Sequence, residues 1–223
     1  MAAKGFLVAV LLGTGVMLGG CLQSTVEPAS EANLTVRDKK LLAAAPYENV
    51  TIPEPYRRHI VSYHRKELPG TIVIDSDARY LYYVLPQGKA IRYGVTVGDE
   101  ALAWSGVSKI GRMTEWPTWT PTADIKKRMD VPDFVGSGPQ NPMGARALYL
   151  FDGNKDTMYR IHGTNQPEYI GQAISSGCIR MTNEDVIDLY KRVKQGTVVV
   201  VMAPHQGDSP FSPRMASSGG TVR

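Results

Sequence analysis

Residues 70–97 read GTIVIDSDARYLYYVLPQGKAIRYGVTV, and three runs within them decide the fold class. Residues 71–75 are Thr-Ile-Val-Ile-Asp, residues 79–85 are rich in tyrosine, leucine and valine, and Ile91, Tyr93, Val95 and Val97 alternate with Arg92, Gly94 and Thr96. Branched and aromatic side chains with a period of two fit a pleated surface that buries one face, so each run predicts a strand. Pro86-Gln87-Gly88 between the last two, and Pro69-Gly70 ahead of the first, are turn sequences. The stretch is a β-meander.

Downstream, residues 147–151 and 157–162 form a second β pair joined by Asp152-Gly153-Asn154, which favours a tight turn. One helix is well marked. Asn183 reads as its N-cap, Glu184 and Asp185 suit the positive end of its dipole, and Val186, Leu189, Tyr190 and Val193 fall on one face before Gly196 stops it. Residues 197–202 then read as a buried, β-branched strand that closes the sheet. The class expected is mostly β, with one main helix packed on one side.

At 223 residues with a net charge of +4 the chain has room for one well-buried domain and its attached segments. No run of Lys and Arg is long enough for a nucleic-acid surface, and no Gly-rich phosphate loop or dinucleotide fingerprint is present. Residues 1–21 read as an export signal: Lys4 supplies the positive start, residues 5–18 are apolar but short for a membrane span, and Leu18-Gly19-Gly20-Cys21 is similar to a bacterial lipobox. That reading puts a lipid on Cys21, a membrane as partner, and the cell envelope or periplasm as location, with Leu22 favouring the outer membrane. A plain secretory signal and an uncleaved anchor helix are the alternatives. Residues 22–69 are expected to be a tether and lead-in, with a short helix within 34–45 and a helical or extended piece at 56–68. Residues 204–223 are expected to be a disordered tail.

Only two cysteines exist. With Cys21 assigned to lipid, Cys178 is an unpaired thiol in an oxidising compartment, which points to a reactive one. It stands in Ser175-Ser176-Gly177-Cys178-Ile179-Arg180-Met181, after Ile161-His162-Gly163-Thr164-Asn165-Gln166-Pro167. His162 ends a strand and Cys178 precedes the helix, so a thiolate–imidazolium pair is the expected arrangement. Gly177 leaves room for a substrate carbonyl to reach the backbone N–H groups around Cys178, an oxyanion hole. Arg180 is placed to meet a carboxylate or to brace the loop. Cys178, His162 and His205 lack the close ligand pairs of a zinc site, so no metal is expected. Trp104, Trp116, Pro117, Trp119 and Pro121 read equally well as a sugar-binding wall or as a loop packed on the core.

The set His162-Gly163-Thr164-Asn165, Ile170-Gly171, Ser175-x-Gly177-Cys178-Ile179-Arg180-Met181, Asn183-x-Asp185 and Leu189-Tyr190 resembles the signature of the L,D-transpeptidase catalytic domain, the YkuD-type domain. The likeness extends back through Asn141-Pro-Met-Gly144-Ala-Arg-Ala-Leu-Tyr149 to residue 70, so it spans residues 70–203. It implies a sandwich-like or barrel-like pair of mixed sheets, Cys178 as nucleophile, His162 as base, and the Gly163 carbonyl as the group that orients the imidazole. It further implies peptidoglycan stem peptides as substrate, bound around Arg180, Thr164, Ser175 and Ser176, with no cofactor. Many members carry histidine where Ser176 stands, a departure that bears on the fine shape of the pocket. The acyl acceptor is a second stem, an envelope protein amine, or water, the last giving an L,D-carboxypeptidase. The remaining rival is a non-catalytic peptidoglycan-binding lipoprotein, against which the intact His162, Gly163, Gly177, Cys178 and Arg180 argue.

Overall fold

The structure, a computed structural model, describes residues 24–25, 34–47, 50–98, 104–175 and 177–206. The signal segment with Cys21, Ser176 and residues 207–223 of the expected tail lie outside them.

The strands in chain order are β1 (Ser24–Thr25), β2 (His59–Ser62), β3 (Ile72–Asp75), β4 (Tyr80–Leu85), β5 (Lys89–Gly94), β6 (Val97–Gly98), β7 (Gly106–Glu115), β8 (Arg146–Asp152), β9 (Lys155–His162), β10 (Ala173–Ser175), β11 (Ile179–Arg180) and β12 (Val198–Val201). The helices are α1 (Val36–Leu42), α2 (Ala123–Arg128) and α3 (Asn183–Arg192). Ten strands form one mixed sheet in the order β1-β2-β5-β4-β3-β12-β7-β8-β9-β11, and β10 pairs with β6 alone. The large sheet curls back on itself. Thr96, two residues past β5, exchanges backbone hydrogen bonds of 2.9 and 2.8 Å with Arg180 of β11, so the meander and the last strand meet across the seam, the barrel-like arrangement that the fold-class expectation describes.

Period-two alternation fills the interior: Ile72, Ile74, Leu81, Ile91, Tyr93, Leu148, Leu150, Ile161, Val199 and Val201 form one buried cluster. Val73 and Val84 point the other way, into a second cluster under Tyr63. β12 is an interior strand, parallel to β3 and antiparallel to β7; Val199 and Val201 are buried in the main cluster, while Val198 and Val200 are half-buried, so the fully buried strand expected here has one buried face and one partly covered face.

Three expectations change. The longest strand, β7, was not read from the sequence, because Gly106–Glu115 offers only Ser108 and Ile110 as fully buried positions and its register shifts between Ile110 and Arg112. The helix α3 is capped by Thr182, whose Oγ1 accepts the Asp185 N–H at 3.1 Å, and Asn183 is its first residue. It ends at Arg192, so Gly196 lies beyond it, in the turn before β12. Finally, residues 34–47 and 50–62 are built into the fold and are not a tether: β2 pairs with β5, and α1 lays Leu41 and Leu42 against Trp116, Ala145 and Ile187. What docks α1 is charge. The Asp38 carboxylate accepts from both terminal nitrogens of Arg146 at 3.0 and 2.8 Å and from Trp116 Nε1 at 2.8 Å, a fork-to-fork match that a buried carboxylate requires.

The tryptophans are not one wall. Trp116 is buried beneath α1, whereas Trp104 stacks on Tyr159 of β9 with ring centroids 5.5 Å apart.

Candidate active site

β11 runs parallel to β9 with Ile179 opposite Ile161 and Arg180 opposite His162. Because side chains alternate along strands, Ile161 and Ile179 enter the core while His162 and Arg180 share the other face. Cys178, one residue before β11, sits opposite Arg160, whose backbone N–H bonds the sulfur. The Met181 N–H donates to the His162 carbonyl at 2.8 Å and continues the pairing. Sixteen positions of sequence separation thus collapse into neighbouring positions on two paired strands.

His162 is 5% exposed, and its Nδ1 lies 2.6 Å from the Gly163 carbonyl. A carbonyl can only accept, so Nδ1 carries the proton and Nε2 is left as the basic nitrogen. Burial, aided by the Arg180 and Arg160 guanidinium groups and opposed by the Gly163 and Met143 backbone carbonyls, pushes the imidazole down to about 3. Burial also pushes the Cys178 thiol up, an effect that the Arg160 N–H and the Arg160 and Arg180 charges offset in part. Both shifts favour neutral thiol and neutral imidazole over a thiolate–imidazolium pair, since a dry site disfavours both charges.

The loop that carries Cys178 is held from beneath. Ser175 Oγ donates to the Cys178 carbonyl at 2.5 Å and accepts the Gly177 N–H at 3.2 Å. Gly177 takes φ +115°, a conformation that favours glycine, and its backbone presses on β6: a Cβ on Gly98 would come within 2.8 Å of the Gly177 Cα. Gly98 is thus a shaping residue that sequence reading passed over; its only signal was a glycine directly after an alternating run. Thr164 is 1% exposed, and its Oγ1 accepts the Gln166 N–H at 3.0 Å. The hydroxyls of Ser175 and Thr164 are accordingly spent on loop geometry. Arg180 is half-buried and, among the described residues, makes no side-chain hydrogen bond or ion pair, and burial lowers its pKa. Among the described residues no three His, Cys, Asp or Glu side chains group as metal ligands.

The YkuD family, the L,D-transpeptidase catalytic domain, matches residues 69–201. The chain is an L,D-transpeptidase family member. It is 34% identical over 147 residues to the probable L,D-transpeptidase ErfK/SrfK of Escherichia coli, covering 60% of this chain and 46% of that protein. With the putative L,D-transpeptidase YkuD of Bacillus subtilis it shares 35% identity over 126 residues, 52% of this chain and 70% of that one. A solved structure from Brucella melitensis, described as a probable carnitine operon oxidoreductase, shares 47% identity over 68% of this chain and 96% of that chain, with a TM-score of 0.46. The chain spans about half the length of the first curated relatives it matches, 46% and 43%. Within the L,D-transpeptidase domain so defined lie His162, Gly163, Cys178 and Arg180. Asp38, Tyr47 and β2 precede it, although they belong to the same folded unit.

Proposed function

We propose that the chain is a peptidoglycan L,D-transpeptidase that works through an acyl-enzyme on Cys178. The observation that carries this reading is the hold of the Gly163 carbonyl on His162 Nδ1, 2.6 Å away, with Cys178 opposite Arg160 on the adjoining strand. His162 Nε2 takes the thiol proton as the sulfur attacks the carbonyl carbon at the L-centre of the third residue of a stem peptide. Neither charge has to exist beforehand; both develop together in the transition state. The Gly177 N–H already donates to Ser175, which leaves the Cys178 N–H, beside the bare Gly177, as the donor to the oxyanion. Collapse breaks the C–N bond, His162 returns its proton to the departing D-alanine nitrogen, and a thioester remains. An acceptor amine then attacks the thioester, gives its proton to His162, and leaves a new amide and a free thiol.

Arg180 binds a stem carboxylate, an assignment supported by its half-buried position on the His162 face without an acidic partner among the described residues. Thr164 and Ser175 act on substrate indirectly, by shaping the loops beside His162 and Cys178. The acceptor is a second stem or an envelope protein amine. The lipobox-like Leu18-Gly19-Gly20-Cys21 supports a location in the envelope with the enzyme held to a membrane by lipid on Cys21.

The deciding experiment is intact-mass analysis of the chain incubated with disaccharide-tetrapeptide, with and without a second stem. The expected results are a thioester adduct with loss of D-alanine, and cross-linked dimer when the acceptor is added. Cys178→Ala should give neither product and keep its fold. Tripeptide alone would make the enzyme a carboxypeptidase. Absence of any adduct with bound substrate would make the domain a binding module.

A further inference from the structure

Asn183 is 1% exposed and has no part in the chemistry described so far, yet every polar atom of its amide is in use. Oδ1 accepts the Ala145 N–H at 2.8 Å, and Nδ2 donates to the Thr164 carbonyl at 3.0 Å and to the Tyr47 hydroxyl at 2.5 Å. An amide offers two donor hydrogens, so its donor capacity is filled. The chain around it is cut to fit. A Cβ on either Gly144 or Gly163 would run into Asn183 Oδ1, and Gly144 holds φ +61° in this position.

These contacts surround the carbonyl that orients the base. The Gly163 N–H donates to the Arg146 carbonyl at 3.0 Å, the Gly163 carbonyl accepts from His162, and the next carbonyl, that of Thr164, is held by Asn183. The peptide plane carrying the Gly163 oxygen is therefore pinned on both sides. Both pins lead back to the same piece of chain. Arg146 is gripped by Asp38 and Asn183 by Tyr47, and both of these residues lie before the matched domain at residues 69–201. A hydroxyl at the far end of the N-terminal segment is the one partner of Asn183 that the transpeptidase domain does not itself supply.

We propose that Asn183, fixed by Tyr47, is a positioning residue for the His162 base, so that the N-terminal segment forms part of the catalytic apparatus. This rests on the reading of Cys178 and His162 as nucleophile and base. The segment that carries the chain toward its N-terminal end thereby also sets the geometry of the proton transfer.

The test uses the full chain with Tyr47→Phe and Asn183→Asp, and with Val73→Ala as a control that loosens the distant second cluster. Three quantities are read: Cys178 alkylation by iodoacetamide at neutral pH, kcat and KM for acyl transfer, and Tm. Tyr47→Phe should lower kcat and alkylation together by about three- to tenfold with KM held within about twofold, because a misdirected base slows the proton step and leaves binding alone. Asn183→Asp should lose more, since a carboxylate has no hydrogen to offer the Thr164 carbonyl. Tyr47→Phe removes one oxygen and carries the test alone if Asn183→Asp does not fold. Wild-type alkylation and kcat in Tyr47→Phe would overturn the proposal, as would equal losses in Val73→Ala at matched Tm. Acyl transfer that persists in Cys178→Ala would instead overturn the nucleophile assignment and the proposal with it.

Discussion

Asp38→Ala puts the docking of the N-terminal segment to its sharpest test. The carboxylate and Arg146 have side-chain exposures of 1% and 2%, with paired contacts of 3.0 and 2.8 Å, and Asp38 also accepts from Trp116 Nε1 and Thr35 Oγ1, each at 2.8 Å. Without Asp38, Arg146 keeps the half-exposed Glu115, 3.9 Å away, as its acidic partner among the described residues, and the loss of a buried partner costs about 3–5 kcal/mol. The orphaned Trp116 N–H draws on the same loss and adds less than its separate value. For a domain of this size that corresponds to a fall in Tm of roughly 10 °C or more. The contribution depends on pH in a defined direction. Hydrogen bonds from Arg146, Thr35 and Trp116 outweigh burial and hold the Asp38 carboxyl below its ordinary 3.8. Its stabilisation is thus fully present above that value and is lost as pH falls through the lower, folded-state pKa. Urea denaturation of wild type and Asp38→Ala at neutral pH should give the full difference, and the two should converge in strong acid. Asp38→Leu combined with Arg146→Met should recover most of the loss, because no charge is then buried alone. A change below about 1 kcal/mol in Asp38→Ala would refute the reasoning and return residues 34–47 to the status of a tether, since a docked pair this dry falls in the range for buried charges.

Two further outcomes follow from the site. Arg180→Lys keeps the charge but loses the two-pronged donor geometry, so transpeptidation should fall about tenfold, a barrier rise of about 1.4 kcal/mol, with Tm and iodoacetamide reactivity of Cys178 near wild type; a joint loss of Tm and thiol reactivity would make Arg180 a loop brace. Because burial drives His162 down to about 3 and the Cys178 thiol upward, kcat/KM should show no acid limb near the ordinary histidine value and should fall only on the alkaline side, where loss of the thiol proton removes the one that His162 returns to the leaving amine; a limb centred near 6.5, measured across mildly acidic to alkaline buffers, would mean that the imidazole is far wetter than the structure has it.

What could be read from the chain alone was whatever repeats locally. Ile72, Ile74, Leu81, Ile91 and Tyr93 announce their strands because a half-buried sheet imposes a period of two, whereas the unbroken valine run Val198–Val201 hides an alternation in which only Val199 and Val201 are fully buried. The main helix was legible from Val186 and Leu189, but its cap was assigned one residue late: Thr182 and Asn183 are both good caps, and only the demand of Ala145 and Thr164 for the Asn183 amide decides between them. Strand β7 was illegible because the shift of register between Ile110 and Arg112 breaks its alternation. Cys178 and His162 stood out by residue type and motif, whereas the charge state of the pair did not, since protonation depends on how dry the assembled pocket is. The role of residues 34–47 was hidden for the same reason. Asp38 looks like any solvated acid until the fold brings Arg146, 108 positions away, against it. A sequence records which groups want partners, and only tertiary packing, which removes water and brings distant segments together, determines which partners they get.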